Sequence, residues 1–304
     1  MATLLLAEDP LADPLSSALL ADAAAALGPC MLAGHPAPPA PLLAPGPAPA
    51  RVALAGVFLR REALEAALAE ATRLAGAGAA VLAWNLSVEG EAARAAPPAG
   101  VAVLDHAEAL HIRDHRSLNV LTLWRVAARM RLRPYAERNL VADPGLALML
   151  PRGPVLGFCM RGGQEIRLSW RARIPAIRRI LAPHAGWPVL PLPVAPPIEG
   201  STSDDAAGTR DALAAILPEA RLALPEMLDP AWWRQAVTPA RLAGLVGACG
   251  AVASQRDLPA ALAIAAGVPV QGIALGADRR IISCMATLAN ELPPGSALHY
   301  PAPG

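Results

Sequence analysis

Three short stretches gather the groups that chemistry needs. The densest is His111-Ile112-Arg113-Asp114-His115-Arg116-Ser117, where an apolar run gives way to helical spacing. Asp114 or Ser117 can cap the helix that follows, and the start of such a helix attracts anions. Arg113 and Arg116 can grip a phosphate or carboxylate through paired N–H donors. A capped helix with an ordinary solvated charge network would use the same residues. His111 and His115 are four apart, but they straddle a change from strand to helix. They would not share a helix face, so no metal site is expected.

The second stretch is Gly157-Phe158-Cys159-Met160-Arg161-Gly162-Gly163. It sets an arginine and two glycines at the carboxyl end of an apolar run, where bare backbone N–H groups can meet an anion. Gly-Gly after a strand also serves as a plain turn, and the spacing is not that of a dinucleotide fingerprint. The third is Ser254-Gln255-Arg256-Asp257, again between an apolar run and a helix start. Arg256 would face ligand there, unless it pairs with Asp257 at the surface. Asn85, in Trp84-Asn85-Leu86-Ser87, is a further candidate at a strand end.

Parallel strands alternating with helices would hold these stretches in place. The runs Thr3–Ala7, Arg51–Leu59, Ala79–Trp84, Val101–Leu104, Ala109–Ile112 and Leu140–Asp143 read as strands of a first half. Leu11–Leu27, Glu62–Ala75 and Ser117–Met130 read as its helices, and Pro-rich His35–Ala50 as an extended loop. In the second half, strands are expected at Pro154–Met160, Trp187–Val194, Arg221–Leu224, Ala251–Ser254 and Val268–Leu275. Helices are expected over Ile174–Ala185, Ala207–Leu217 with Ser203-Asp204-Asp205 as cap, Pro239–Cys249, Leu258–Ala266 and Asp278–Leu292. This is an α/β pattern of two Rossmann-like lobes, residues 1–150 and 151–304, with the break at Pro151-Arg152-Gly153-Pro154. Ligands of open parallel sheets sit beyond the carboxyl ends of strands. Two such lobes facing across a cleft would bring all three stretches to it.

Composition sets the limits. The chain is 54% hydrophobic with only 3% aromatics, so its core is built from small aliphatics that let helices lie close to a sheet. A net charge of +1 gives no sign of a nucleic-acid partner or an anionic membrane. All 26 basic residues are arginine. Any anion must therefore meet Arg, His or backbone N–H, and Schiff-base chemistry on lysine is excluded. The four cysteines are scattered, without metal-ligand spacing, as in a reducing cytoplasmic protein. Neither a signal peptide nor a stable membrane insertion is expected.

In order and spacing, the motifs resemble the polysaccharide pyruvyl transferase family. Arg113-Asp114 with Ser117 is similar to that family's R-D-x-x-S, and Asp143-Pro144 to its D-P turn. Val155–Arg161 is similar to the strand that opens the second lobe. Gly250–Arg256, followed by Gly267-Val268-Pro269-Val270, is similar to its S-x-R and G-v-P-v segments. The resemblance implies a GT-B-like fold with the acceptor on the first lobe and the donor on the second. It implies transfer of a pyruvyl ketal from phosphoenolpyruvate to a sugar in surface or exopolysaccharide assembly, with no cofactor. Arg161 and Arg256 would hold the donor's phosphate and carboxylate. Asp114, His115 or His111 would take over acid–base work, because the family's histidine position is Leu258 here. Asn85, Arg113, Arg116, Ser117, Gly162 and Ser254 would line the substrates. The family's lysine near the chain end and its Gly/Asn-rich N-terminal loop are both missing. Two rivals stand beside this reading: a GT-B glycosyltransferase using a nucleotide-sugar donor, and a non-catalytic member that binds a sugar or protein partner. The expected partners are a small-molecule donor and a saccharide acceptor, and a homo-oligomer is compatible with the sequence.

Overall fold

The computed structural model describes residues 3–8, 23, 25–34, 49–133, 135–162, 164–194, 205–275 and 279–303. The chain forms two compact units, Met1–Asn139 and Leu140–Gly304, each built on its own sheet.

The first sheet has six strands: β1 (Thr3–Ala7), β2 (Cys30–Gly34), β3 (Arg51–Phe58), β4 (Ala80–Val88), β5 (Ala109–Ile112) and β6 (Met130–Leu132). Their order is β2-β1-β3-β4-β5-β6, and every neighbouring pair is parallel. The central strands β3 and β4 are nearly continuous apolar runs because both of their faces are covered. Helix α1 (Arg61–Gly76) buries Ala63, Leu64, Ala67, Leu68, Ala71 and Leu74, a stripe at helical spacing that packs on one face of the sheet. Its N-cap residue, Arg60, gives no side-chain cap. Instead the Glu8 carboxylate, at the end of β1, accepts the Leu59 and Arg60 N–H groups. Helix α2 (His115–Leu123) follows β5.

The second sheet has five strands: β7 (Leu156–Cys159), β8 (Val189–Pro191), β9 (Ala251–Ser254), β10 (Val270–Ile273) and β11 (Ala297–His299). Their order is β11-β10-β9-β7-β8, again all parallel. Its helices are α3 (Gln164–Arg171), α4 (Ile174–Leu181), α5 (Asp205–Ile216), α6 (Pro230–Ala236), α7 (Pro239–Gly247), α8 (Asp257–Ala265) and α9 (Arg280–Thr287). One core cluster joins Leu156, Phe158, Trp170, Ile177, Leu213, Ala253 and Ile273.

Several elements depart from the sequence pattern for local reasons. Val101–His106 is a 3₁₀ helix rather than a strand, opened by Gly100 at φ +79°. Leu140–Asp143 is not a strand: the Asp143 N–H goes to the Ala240 carbonyl. The segment lies so close to α7 that a Cβ on Gly244 would meet the Asp143 carbonyl oxygen. Residues 140–150 therefore belong with the second unit, ahead of the Pro151-Arg152-Gly153-Pro154 break. Arg221–Leu224 makes only a single bridge, Val189 to Leu222. The helix expected through Met130 stops at Leu123, and Met130 starts β6. Strands β2, β6 and β11 are too short to be read from pattern, and helix α3 went unread although its residues follow helical spacing. The helix over Leu11–Leu27, the loop over His35–Ala50, the Ser203-Asp204 cap and Asp278 fall wholly or largely outside the described residues. Among the described residues, no helix is long and apolar enough to cross a membrane.

Candidate functional site

Each sheet gathers polar groups at the carboxyl ends of its strands. In the first unit the Asp114 side chain caps α2 by accepting the Ser117 N–H at 2.8 Å. Its other oxygen accepts the Ser87 hydroxyl at 2.8 Å. Ser117 Oγ accepts the Val88 N–H at 2.9 Å. Ser87 also reaches Glu89 Oε1 at 3.2 Å. Asp114, Ser117 and Ser87 thus tie the start of α2 to the end of β4, and all three are buried. Arg113 is buried as well. Its Nη1 donates to Glu137 Oε1 at 2.8 Å, and its guanidinium lies 4.4 Å from the centre of the Tyr135 ring. His115 is exposed at the first turn of α2, and Arg116 is half-buried beside it. On the opposite face, Arg133 lies over Trp84 at 4.3 Å, and the His111 ring packs against the same indole at 4.8 Å.

In the second unit β7 and β9 are neighbours, with Cys159 level with Ser254. This register puts Arg161 and Arg256 at equal distances beyond two adjacent strand ends. The Arg161 N–H donates to Gln255 Oε1 at 3.1 Å, and Thr209 of α5 bonds both the N–H and the carbonyl of Met160 at 3.1 Å. Helix α5 lies against this turn so closely that a Cβ on Gly208 would stand 2.3 Å from the Gly162 nitrogen. Arg256 is held by Asp205 at the first turn of α5, with its Nε 2.9 and 3.0 Å from the two carboxylate oxygens. A third bond joins Nη2 to the same carboxylate. Burial alone would lower the pKa of this guanidinium. The adjoining Asp205 carboxylate outweighs that and holds it above the ordinary arginine value. Cys159, fully buried next to the pair, has its thiol pushed far up by desolvation, so it is no nucleophile. Ser254 Oγ accepts the Arg256 N–H at 3.0 Å. Helix α8 begins without a side-chain cap. Leu258, in its first turn, is buried in the core.

No protein-family model matches the chain, and no curated protein does. Solved structures do resemble it. UDP-GlcNAc 2-epimerase from Methanocaldococcus jannaschii matches 99% of this chain and 89% of its own, at 10% identity and a TM-score of 0.54. The same enzyme in complex with UDP-GlcNAc and UDP matches 89% and 83%, at 10% identity and 0.47. A glycosyl transferase family 9 structure from Veillonella parvula matches 90% and 80%, at 11% identity and 0.35. The fold is GT-B-like. The first of these likenesses carries that statement, and at 10% identity it speaks for fold alone.

The structure sorts the sequence-derived residues into two groups. Arg113, Asp114 and Ser117 collect beyond the carboxyl end of β5 with Arg116 and His115, whereas Asn85, expected just past a strand ending at Trp84, lies buried inside β4, which runs on to Val88. Arg161, Gly162, Ser254 and Arg256 collect at the second. Two arginines expected to meet ligand anions, Arg113 and Arg256, each already have a buried carboxylate partner. Sequence reasoning missed Glu137 and Asp205 as those partners, and also Thr209, whereas Ser87 and Gln255 lay within stretches it had singled out. Of the missed three, only Asp205 left a trace, as part of a helix-start signal. Among the described residues, no group of three or more His, Cys, Asp or Glu side chains could hold a metal ion.

Proposed function

We propose that this chain is a GT-B enzyme acting on a nucleoside-diphosphate sugar, with the diphosphate at the carboxyl edge of the second sheet. The observation that carries the reading is the state of that edge. Arg256 is neutralised by Asp205, so the edge is not a strongly cationic pocket for a small trianion. It offers instead the uncapped start of α8, the turn at Arg161-Gly162, and the amide of Gln255, whose Nε2 is buried without a partner. Helix-start N–H groups suit a diphosphate, and a neutral amide suits a base or sugar edge. The whole-chain likeness in fold to a UDP-GlcNAc 2-epimerase supports the same class of ligand.

Pyruvyl transfer from phosphoenolpyruvate is the second reading. It is favoured by the juxtaposition of Arg161 and Arg256 beyond adjacent strands, in the motif order of that family. The two readings separate in a thermal-shift experiment with UDP, UDP-GlcNAc and phosphoenolpyruvate. A ligand at about 100 times its dissociation constant adds ~2.7 kcal/mol. For a chain of this size that is a rise of roughly 5–10 °C. A rise with UDP or UDP-GlcNAc alone supports the proposal, and a rise with phosphoenolpyruvate alone replaces it with pyruvyl transfer. No rise with any of them favours a non-catalytic binding role.

A further inference from the structure

The buried face of α5 changes character along its length. Toward the carboxyl end it is apolar, with Ala212, Leu213 and Ile216 in the core cluster of the second unit. Nearer the start, the buried residues are Asp205, Gly208 and Thr209, spaced i, i+3 and i+4 on one side of the helix. Each is a costly choice there. A buried carboxylate gives up its hydration, and glycine weakens a helix interior relative to alanine. A helical threonine can turn its hydroxyl back to the carbonyl four residues earlier, as Thr72 does to Leu68 at 2.7 Å and Thr122 to Leu118 at 2.8 Å. Thr209 Oγ1 turns instead to the residue just past β7, where it accepts the Met160 N–H and donates to the Met160 carbonyl, both at 3.1 Å. Gly208 lets the helix lie against the Arg161-Gly162 backbone, in space that a Cβ would fill. Asp205 holds the guanidinium of Arg256, the N-cap residue of α8. One helix face thus grips the ends of two neighbouring strands, β7 and β9. Gln255 ties those ends together: its N–H donates to the Cys159 carbonyl at 2.9 Å, and its Oε1 accepts the Arg161 N–H at 3.1 Å. Arg161 and Asp257, just beyond the two ends, are half-buried and reach the surface.

We propose that the Asp205–Gly208–Thr209 face of α5 positions the phosphate-binding turns of the second unit. Thr209 and Gly208 set the Arg161-Gly162 turn, and Asp205, through Arg256, sets the start of α8. These are positioning residues: they act through the backbone they hold and not by touching the ligand. Backbone N–H groups recognise a phosphate only when several converge on one place. A supporting shell that lets them drift by about an ångström loses that convergence. Apolar side chains would pack on the core, as Ala212 and Leu213 do, but they could not hold a turn by hydrogen bonds. That is why the face turns polar where it meets the strand ends. The inference rests on the reading that a donor's phosphate binds at this edge. It is the same for a nucleoside diphosphate and for phosphoenolpyruvate, which share the phosphate chemistry.

The test is titration calorimetry of the full chain with UDP, UDP-GlcNAc and phosphoenolpyruvate, well below its melting temperature. Thr209→Val keeps the side chain's shape and removes the hydroxyl, whereas Thr209→Ser keeps the hydroxyl. Ile216→Val loosens the apolar half of the same helix. Thr209→Val should bind the parent's phosphate ligand on the order of tenfold more weakly, the equivalent of one or two ordinary hydrogen bonds to the displaced turn. Thr209→Ser and Ile216→Val should bind it as the parent does, although Ile216→Val melts lower. A role confined to stability would lower melting temperatures and leave the affinity of the folded protein alone. Parent-like affinity in Thr209→Val therefore overturns the proposal, even where UDP binds and the nucleotide reading survives. Binding by Thr209→Ser as weak as that of Thr209→Val also overturns it. If phosphoenolpyruvate alone binds and Thr209→Val weakens it, the positioning role stands and the nucleotide reading falls. If the parent binds none of the three ligands, both fall. Should Thr209→Val fail to fold, Gly208→Ala decides: weakened binding sustains the proposal, and parent-like binding overturns it.

Discussion

Replacing Asp205 with alanine should destabilise the second unit more than almost any other single polar change. Asp205 and Arg256 have side-chain exposures of 0% and 6%, and three hydrogen bonds join them. Removing the carboxylate leaves a guanidinium buried without its counter-charge. Breaking a buried pair from one side costs about 3–5 kcal/mol. A kilocalorie moves the melting temperature of a unit this size by ~2–4 °C, so Asp205→Ala should melt roughly 6–20 °C below the parent. Removing both charges should recover most of the loss, because a buried pair is worth little against apolar residues of similar volume. The assay is urea and thermal unfolding of the parent, Asp205→Ala, Arg256→Met and the double variant Asp205→Leu with Arg256→Met. The cycle gives the coupling energy directly. The reasoning is refuted if Asp205→Ala melts within a degree or two of the parent. That result would mean that Arg256 reaches solvent or ligand and does not depend on Asp205.

Other parts of the structure make further predictions. Glu8 caps α1 from another strand, so Glu8→Ala should cost ~1–3 kcal/mol in urea unfolding while Glu8→Gln, which keeps an acceptor, costs less. Gly208→Ala puts a methyl against the Arg161-Gly162 backbone and should cost about 1–3 kcal/mol, with loss of nucleotide affinity as the turn is displaced. Burial pushes the Cys249 thiol up to about 12 from an ordinary value near 9. The unfolded chain thus ionises first, and the stability held below pH ~9 should fall by ~1.4 kcal/mol per unit as pH rises toward 12. Urea midpoints at pH 8, 9.5 and 10.5 would show the slope. Thiol reagents at neutral pH should modify Cys30 alone in the native protein, since Cys159, Cys249 and Cys284 are buried.

Elements with strong periodicity and a clean stop were legible in the sequence. Helix α1 has apolar residues at every third or fourth place, and β9 is a three-residue apolar run closed by Ser254; both fall within a residue or two of their expected bounds. Short edge strands were not legible. Residues Met130–Leu132 form a strand only because β5 lies beside them. The Asp143 turn looked like the end of a first lobe, yet its backbone docks on α7, a contact across about a hundred residues that no local pattern encodes. The candidate site followed the same rule. Strand-end positions of Arg161, Arg256 and Asp114 could be read from alternating patterns. Their partners could not, because Asp205 lies on α5 and Glu137 beyond β6, far along the chain from the arginines they neutralise. Asn85 was expected just past a strand ending at Trp84, but β4 runs on to Val88, and the bulge at Asn85 depends on registers with β3 and β5 that only the assembled sheet fixes.

Hydrogen–deuterium exchange of the full chain with and without UDP-GlcNAc tests the central claim most directly, because it reports both binding and place. The account predicts slowed exchange at Met160–Gly162 and in the first turn of α8 when UDP-GlcNAc is bound. It is contradicted if saturating UDP-GlcNAc leaves these segments unchanged, or if phosphoenolpyruvate alone protects them.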